Sequence, residues 1–220
     1  YCRGEETTKS TSTFEETDAS SKGLVSTLTN LVNFFNTSPP KKPEFKGPTV
    51  GLPPPPTSPT ELMERIQRDY TDRNYLWTGD IDLACFEEEC RFTDPTLSFQ
   101  GRDKFVSNVQ NLRPILDALI ESGGCRSDLL DITVRNEYVE SRWNMVGELS
   151  RLPWRPKIDV VGRTKFWFRQ INNNNEGEEE EESDGGDGLR VYFYDECWEM
   201  PAPKALLQLV TPAGTIKSQK

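Results

Sequence analysis

The chain contains 220 residues, of which 34% are hydrophobic, and carries a formal net charge of −10 at pH 7. It contains no histidine, which excludes Ser-His-Asp triads, imidazole bases and every zinc or haem site that needs a histidine ligand. No apolar run approaches the ~20 residues that a membrane-spanning helix needs, so we expect a soluble chain without a transmembrane segment. No glycine-rich nucleotide-binding motif is present either, and we expect neither a cofactor nor a metal site.

The negative charge is concentrated in one tract. Eight of the 36 acidic residues lie between Glu176 and Asp187, where there is no basic residue, and the rest of the chain is close to neutral. A near-neutral body argues against nucleic-acid binding, which needs a concentrated Lys and Arg surface. The Asn, Glu and Gly content of the tract cannot form a core, so we predict a disordered acidic insertion over residues 172–188, at the tip of a hairpin.

The first 57 residues are predicted to form a disordered tail. A possible short amphipathic helix lies at 24–36, where Leu24, Leu28, Leu31 and Phe35 fall at helical spacing. Nine of the 16 prolines then lie between positions 39 and 59, which is typical of an extended, semi-rigid spacer.

A folded domain is predicted over residues 58–212, followed by a tail at 213–220. The segment Ser58-Pro59-Thr60-Glu61 is a capping box with proline at the first helical position, which marks a helix start. An apolar stripe from Leu62 to Trp77 predicts that this helix continues until Gly79 ends it. Asp80 is expected to cap a second, short helix.

A short strand and a third helix follow. Cys90–Pro95 is a predicted strand that proline ends, and Gly101 leads into a helix with an apolar face. That face consists of Phe105, Val109, Leu112 and Leu116. Pro114 lies inside the pattern and should kink the helix or divide it in two.

From Asp128 onward, the hydrophobic period changes from helical to two. Leu130, Ile132 and Val134 alternate with polar residues and are expected on one face of a strand. Further strands are predicted at 143–149, 158–170 and 189–200. Consecutive strands with short or flexible connections predict an antiparallel meander, and helices followed by strands in one domain predict an α+β fold.

The order of these elements resembles the nuclear transport factor 2-like superfamily. Phe92-Thr93-Asp94-Pro95, followed by Gly101-Arg102 at a helix start, is similar to the first strand of that superfamily and the segment after it. The resemblance implies three N-terminal helices packed on a strongly curved antiparallel sheet, which together form a cone with an internal pocket. Members include enzymes, ligand-binding proteins and interaction domains, so the fold alone does not choose a function.

More specifically, the chain resembles an uncharacterised plant and cyanobacterial family whose plant members are mostly plastid-targeted. The resemblance is carried by Tyr70–Trp77, Phe92–Gly101, Tyr194–Trp198 and Ala205–Leu209. It implies a chloroplast location. A chain that begins with Tyr rather than Met is also expected to have been processed or truncated.

Two carboxyl groups, Asp94 and Glu196, are candidate catalytic residues. Asp94 is expected at the mouth of the cone, since Asp-Pro after the first strand often lies there in related folds. Dehydratases and isomerases of the superfamily commonly use an Asp–His pair, which is impossible here, or an Asp base with a Tyr and a protonated acid. The alternative role of Asp94 is to stabilise the turn before Pro95.

Large amphipathic side chains on the predicted strands are candidate ligand-binding residues. Tyr138, Trp143, Trp167 and Trp198 could line a pocket for a flat or isoprenoid ligand, or could belong to the core. Arg142 could hold an acidic head group, or could lie on the outer face of the sheet. A one-residue slip in strand register reverses each of these assignments.

Three functions remain open. The first is a non-catalytic plastid module that binds a small apolar ligand or a protein partner. The second is an enzyme of the isomerase or dehydratase type that uses Asp94 or Glu196 with a tyrosine. The third is a structural homodimer paired through a sheet face that carries Trp143, Trp167 and Trp198 partly outward.

Overall fold

Helices and strands alternate along the domain before a run of long strands completes it. The computed structural model describes residues 52–111, 113–121, 123–171 and 187–216. The helices are α1 (Pro59–Thr71), α2 (Tyr75–Thr78), α3 (Arg102–Gln110), α4 (Arg113–Leu119) and α5 (Ala202–Leu207), and the strands are β1 (Phe86–Thr93), β2 (Ser98–Gln100), β3 (Cys125–Val134), β4 (Tyr138–Glu148), β5 (Lys157–Ile171) and β6 (Gly188–Trp198). The predicted helix at 24–36 lies outside the described residues, and so does the predicted insertion at 172–188 except for its last two residues.

The six strands form a single open sheet in the order β2-β1-β6-β5-β4-β3. The predicted α+β class is therefore confirmed. Neighbouring strands are antiparallel except β1 and β6, which are parallel. The prediction of a wholly antiparallel sheet was wrong at this pair, because the first strand of the domain joins the edge of the last one and no hairpin connects them.

Helix α1 begins where the capping box predicts. The Ser58 side chain accepts a hydrogen bond from the Glu61 amide, and Pro59 is the first helical residue. The helix ends at Thr71 rather than near Gly79. Asn74 adopts the left-handed conformation, with φ of 51°, and separates α1 from α2.

The helix predicted to start at Asp80 is absent from the described residues, and that prediction was wrong. A 3₁₀ turn over Leu83–Cys85 stands in its place, with Asp82 as its cap. The Asp82 carboxylate accepts a hydrogen bond from the Ala84 amide at 3.2 Å, and the Asp82 amide donates to the Asp69 carboxylate at 3.1 Å. These bonds hold Asp82, rather than Asp80, in the capping position.

Pro114 divides the third predicted helix in two. Helix α3 ends at Gln110, and α4 begins at Arg113, so Pro114 occupies the second position of α4. A proline is tolerated in the first turn because the amide hydrogen there has no partner within the helix.

A bulge in β3 reverses one predicted orientation. Leu129 pairs with Trp143, and the next paired residue of β3 is Asp131, so Leu130 is an extra residue. Leu130 is 47% exposed, whereas Leu129 packs against the core. The expectation that Leu130 shares a face with Ile132 was therefore wrong, since Ile132, beyond the bulge, packs against the core.

The main core lies between α1 and one face of the sheet, which we call the inner face. Ile66 of α1, Trp143 of β4 and Phe166 of β5 are among its buried members. A second, smaller cluster forms around Trp77 of α2 and Ile120, which follows α4. Burial of apolar surface in these two clusters fixes the helices on the sheet.

The end of the proline-rich segment packs directly on the domain. The Pro54 carbonyl accepts a hydrogen bond from Arg65 of α1 at 2.7 Å. The Pro56 carbonyl accepts one from the Leu189 amide of β6, also at 2.7 Å. The segment therefore links α1 to the start of β6.

Replacing Gly162 with alanine is expected to destabilise the fold. A Cβ atom at this position would lie 2.5 Å from the Trp143 ring, which is fully buried. Because the ring is enclosed, we expect a loss of about 1–3 kcal/mol in the free energy of unfolding, measured by denaturant titration. Gln170→Ala, at an exposed site on the same strand, is the control and should change this free energy by less than about 0.5 kcal/mol. Equal stability of the two variants would contradict the packing.

Candidate functional site

One row of polar side chains crosses the inner face of the sheet. Ser141 of β4 pairs with Thr164 of β5, which pairs with Glu196 of β6, and all three are buried. The parallel pairing of β1 with β6 continues the row to Asp94, which directly follows the last paired residue of β1. Strand register therefore brings both predicted catalytic carboxyl groups to the same end of one row.

Buried hydroxyl groups connect this row to the helices in a continuous series of hydrogen bonds, Ser141–Tyr70–Tyr75–Tyr194–Glu196, which we call the hydroxyl chain. The Tyr70 hydroxyl lies 2.8 Å from Ser141 Oγ, and the Tyr75 hydroxyl donates to it at 3.0 Å. The Tyr194 hydroxyl lies 3.2 Å from that of Tyr75 and 2.5 Å from Glu196 Oε2. The hydroxyl chain thus ties α1 and α2 to β4 and β6.

Glu196 ends the hydroxyl chain with a carboxyl group that is hard to ionise. Burial raises its pKa from 4.5 to about 8, and the nearby Asp94 carboxyl group adds to the rise. Tyr194 and Trp198 both donate hydrogen bonds to this carboxyl group, and the bond from Trp198 Nε1 to Oε1 is 2.8 Å long. These two bonds oppose the rise in the pKa only in part. Glu196 is therefore largely protonated at neutral pH.

Two hydrogen bonds of the hydroxyl chain have a defined direction. Burial raises the pKa of all three tyrosines above 10, so each keeps its one hydroxyl hydrogen. Tyr75 donates its hydrogen to Tyr70, and Tyr194 donates its hydrogen to Glu196 Oε2. A donor to a carboxyl oxygen favours the carboxylate form, so burial, and not the bond from Tyr194, keeps the pKa of Glu196 high.

The protein's own side chains satisfy and surround the hydroxyl chain. None of the buried side-chain atoms that lack a hydrogen-bond partner in the described residues belongs to it. The Tyr194 ring has its centroid 5.3 Å from that of Phe92, 5.3 Å from that of Phe166 and 6.0 Å from that of Phe105. Aromatic rings therefore pack around the Tyr194 ring.

Asp94 stabilises the turn between β1 and β2. Its Oδ1 accepts hydrogen bonds from the amide and the hydroxyl of Thr96, at 2.6 and 2.5 Å, and from the Leu97 amide at 3.0 Å. This is the turn-stabilising role that was the alternative to catalysis. Burial raises the pKa of Asp94, and the bonds from Thr96 and Leu97 oppose the rise. A catalytic role for Asp94 stays a prediction.

Two of the predicted ligand-binding rings, Trp143 and Trp198, lie on the inner face. Trp143 is fully buried and donates from Nε1 to Thr164 Oγ1 at 2.9 Å. Trp198 is half-buried and donates to Glu196, as described above. Both indole N–H groups are thus used within the protein.

The remaining predicted ligand-binding residues, Tyr138, Trp167 and Arg142, lie on the opposite, outer face. Tyr138 pairs with Trp167, and their ring centroids are 4.7 Å apart. Arg142 forms a two-point ion pair with Glu199, at 2.6 and 2.8 Å. The predicted site residues are thus divided between two faces, and one pocket cannot contain them all. Of the three tryptophans whose exposure suggested a dimer, Trp167 alone faces outward.

An open cleft of about 390 Å³ lies beside α4. We call it the α4 cleft. None of its lining residues was a predicted site residue, because they come from three separate segments of the chain and form no local motif. The lining consists of Asn74, Trp77, Thr78, Arg113, Leu116, Asp117, Ile120, Glu121, Gly123, Gly124, Cys125 and Arg151.

The apolar part of the α4 cleft is formed by Trp77, Leu116 and Ile120, which also belong to the second core cluster. Trp77 Nε1 donates to the Arg126 carbonyl at 3.1 Å, so its polar atom is already used. Cys125 adds a free, half-buried thiol, and burial raises the pKa of this thiol to about 11.

Charged side chains of both signs complete the lining of the α4 cleft. Arg113 and Arg151 are balanced by Asp117 and Glu121. Arg151 Nη1 also donates to the carbonyls of Asp117 and Ala118 at the end of α4, at 3.2 and 3.3 Å. A cation there is favourable because the last carbonyls of a helix carry partial negative charge.

Within the described ranges, no cluster of three or more potential metal-ligating side chains is found. A search of the same residues for helices that could cross a membrane finds none.

The fold and the site define an α+β domain with an open six-stranded sheet, a buried carboxyl group on its inner face and a cleft beside α4. Residues 60–175, more than half of the chain, match the family described as "Uncharacterized conserved protein (DUF2358)". The chain belongs to this family. Among curated proteins, none matches the chain in sequence.

Solved structures with limited similarity come from several bacteria. An NTF2-like protein with a cystatin-like fold from Novosphingobium aromaticivorans is 17% identical, over 67% of this chain and 87% of that one, with a TM-score of 0.41. A hypothetical protein with a ketosteroid isomerase-like fold from Catenulispora acidiphila, in complex with trimethylamine, is 15% identical. The match covers 70% of this chain and 95% of that one, with a TM-score of 0.38. An LEH-like epoxide hydrolase of M. tuberculosis is 13% identical over 69% of this chain and 93% of that one, with a TM-score of 0.39.

Glu196 is expected to make the protein less stable as the pH rises. Its pKa is about 8 in the folded protein and has an ordinary value of 4.5, so between these values the folded state binds more protons than the unfolded state. The free energy of unfolding should therefore fall through this window by up to about 1.4 kcal/mol per pH unit. Asp69, whose pKa burial raises to about 7, acts in the same direction.

The variant Glu196→Gln isolates the Glu196 contribution. Its amide cannot ionise, and its oxygen can still accept the hydrogen bond from Tyr194. In denaturant titrations between about pH 5 and about pH 9, the stability advantage of the variant over the wild type should grow with pH. Glu64→Gln, on the exposed side of α1, should leave the profile unchanged. A constant difference between wild type and Glu196→Gln would rule out the raised pKa.

Proposed function

We propose that this domain is a non-catalytic binding module and that the α4 cleft holds a small, mainly apolar molecule. One observation carries the proposal: the α4 cleft offers open volume, whereas aromatic rings pack around Tyr194 of the hydroxyl chain. A volume of about 390 Å³ lies within the range of about 300–1,000 Å³ that is typical of small-molecule sites.

The lining of the α4 cleft supports an uncharged ligand with a flat apolar body. Leu116 is half-buried and offers apolar contact area to a ligand, while Trp77 and Ile120 expose only 6% and 8% of their surface. The two arginines and two acids of the lining cancel in charge, so neither a cation nor an anion is favoured overall. Polar atoms of the rim remain close enough to orient one polar group of the ligand.

The superfamily and the cellular location belong to the same proposal. The order of helices and strands, with Asp94 and Pro95 after β1, supports a nuclear transport factor 2-like fold. The sequence resemblance to a mostly plastid-targeted family supports a chloroplast location, which a fluorescent fusion imaged in leaf cells tests. Fluorescence outside the plastid would contradict that location without affecting the cleft.

Ligand binding in the α4 cleft can be tested by native mass spectrometry of the chain after incubation with a small-molecule extract of leaves. We expect a retained mass in the wild type and its loss in Leu116→Glu, because a carboxylate would be placed on the apolar lining. Leu119→Glu is the matched control: Leu119 is also half-buried on α4 but does not line the cleft. It should retain the ligand.

Circular dichroism of both variants would show that α4 and the sheet are preserved. A wild-type spectrum with no retained mass, or equal retention by both variants, would contradict binding in the α4 cleft.

A catalytic function is the second candidate, and the raised pKa of Glu196 favours it. A protonated carboxyl group beside Tyr194, with Asp94 nearby, has the components of an acid-and-tyrosine site. If this function is correct, one component of the extract should change in mass on incubation with the wild type. Glu196→Gln and Asp94→Asn should abolish the change while circular dichroism shows an intact fold. Persistence of the change in both variants would exclude these two residues.

A further inference from the structure

Three exposed apolar side chains lie close together in the loop between β4 and β5 and at the end of α5. They are Trp154, Leu207 and Val210, which are 42%, 45% and 59% exposed. Trp154 Nε1 donates a hydrogen bond to the Leu209 carbonyl at 3.3 Å, so the loop meets the chain directly beside Val210. The Val210 amide donates to the Leu207 carbonyl at 3.2 Å, and residues three apart in such a turn lie on one side. We call this surface the Trp154 face.

Backbone hydrogen bonds fix the loop that carries Trp154. The Arg155 amide donates to the Leu152 carbonyl at 3.0 Å, and the Leu149 amide donates to the Pro156 carbonyl at 3.0 Å. Arg155 adopts the left-handed conformation, with φ of 42°, which is uncommon for a residue of this type. Because such conformations concentrate at functional sites, we interpret the exposed indole ring as functional.

The charge around the Trp154 face is predominantly positive. The two segments that form the face, 149–158 and 201–216, contain four basic residues and no acidic one. The basic residues are Arg151, Arg155, Lys157 and Lys204. Glu148 and Asp159 flank the first segment: Glu148 pairs with Arg155 at 2.6 Å, and Asp159 is half-buried. Basic residues therefore outnumber acidic ones by four to two, in a chain whose formal net charge is −10.

We propose that the Trp154 face binds the surface of a membrane that contains anionic lipids. An exposed tryptophan beside aliphatic side chains suits the boundary between headgroups and acyl chains, where indole rings are enriched. The surrounding basic side chains are attracted to anionic headgroups. Such binding needs no membrane-spanning helix, and none is found in the part of the chain that the structure describes. The proposal goes beyond the binding of a small molecule in the α4 cleft and does not depend on it.

A second copy of the chain is a less suitable occupant of the Trp154 face. In a twofold dimer the same surface of each copy would meet the other, so the basic side chains of both copies would face one another. Like charges brought together at an interface are unfavourable. An anionic bilayer would instead cover the three apolar side chains and meet the basic ones with opposite charge.

The test measures co-sedimentation of the whole chain with two kinds of vesicle, one of phosphatidylcholine alone and one of phosphatidylcholine and phosphatidylglycerol in about equal parts. The wild type should bind the anionic vesicles at least about tenfold more tightly, and added salt should weaken this binding. Val210→Glu and Lys157→Glu should each lower the affinity about tenfold or more, because each places a carboxylate at the anionic surface. Both side chains are exposed, so circular dichroism should show an unchanged fold.

Leu130→Glu is the matched control. Leu130 is 47% exposed, but Asp128 and Asp131 lie near it on β3, so its replacement should leave vesicle binding unchanged. Absence of binding to anionic vesicles would overturn the proposal. Equal binding by the wild type and Val210→Glu would also overturn it, since another part of the chain would then hold the membrane. A dimer in sedimentation equilibrium that Val210→Glu dissociates would assign the face to a second copy and overturn it as well.

Discussion

A carboxyl group placed in the interior of this protein sets the main constraint on the arrangement around it. Burial of a carboxylate without compensation is unfavourable, so Glu196 must stay protonated or find strong donors. The protein does both, since its pKa is raised to about 8 and Trp198 and Tyr194 lie within hydrogen-bond distance. Each following hydroxyl of the hydroxyl chain then needs its own partner, and this requirement extends from β6 through α2 and α1 to β4.

Strand register creates this arrangement. The row of Ser141, Thr164 and Glu196 exists because β4, β5 and β6 are paired without a shift at these positions. The parallel β1 adds Asp94 at the end of the row and raises the pKa of Glu196 further. A one-residue change in any of these pairings would turn a polar side chain to the outer face, so the buried polar row also specifies the register.

Features that depend on a few neighbouring residues could be predicted from the sequence, and features that depend on long-range packing could not. The Ser58 cap and the division at Pro114 follow from local backbone chemistry, and both are observed. The bulge at Leu130 lies next to the pairing of Leu129 with Trp143 on the neighbouring strand, and no alternation of apolar residues reveals it. Of the candidate site, the sequence identified Asp94 and Glu196 as carboxyl groups of interest. The α4 cleft was missed, because its residues extend from Asn74 to Arg151.

The two sites also differ in what a ligand would have to replace. In the hydroxyl chain, each hydrogen bond to a ligand would be exchanged for one that the protein already makes, so little net binding energy is available there. In the α4 cleft, a ligand would cover the exposed part of Leu116, and burial of this apolar surface is favourable. A domain with this fold can therefore use its polar row for internal organisation and bind a ligand at the edge of the domain. Tyr75 and Trp77, two residues apart on α2, are the point where the two regions meet.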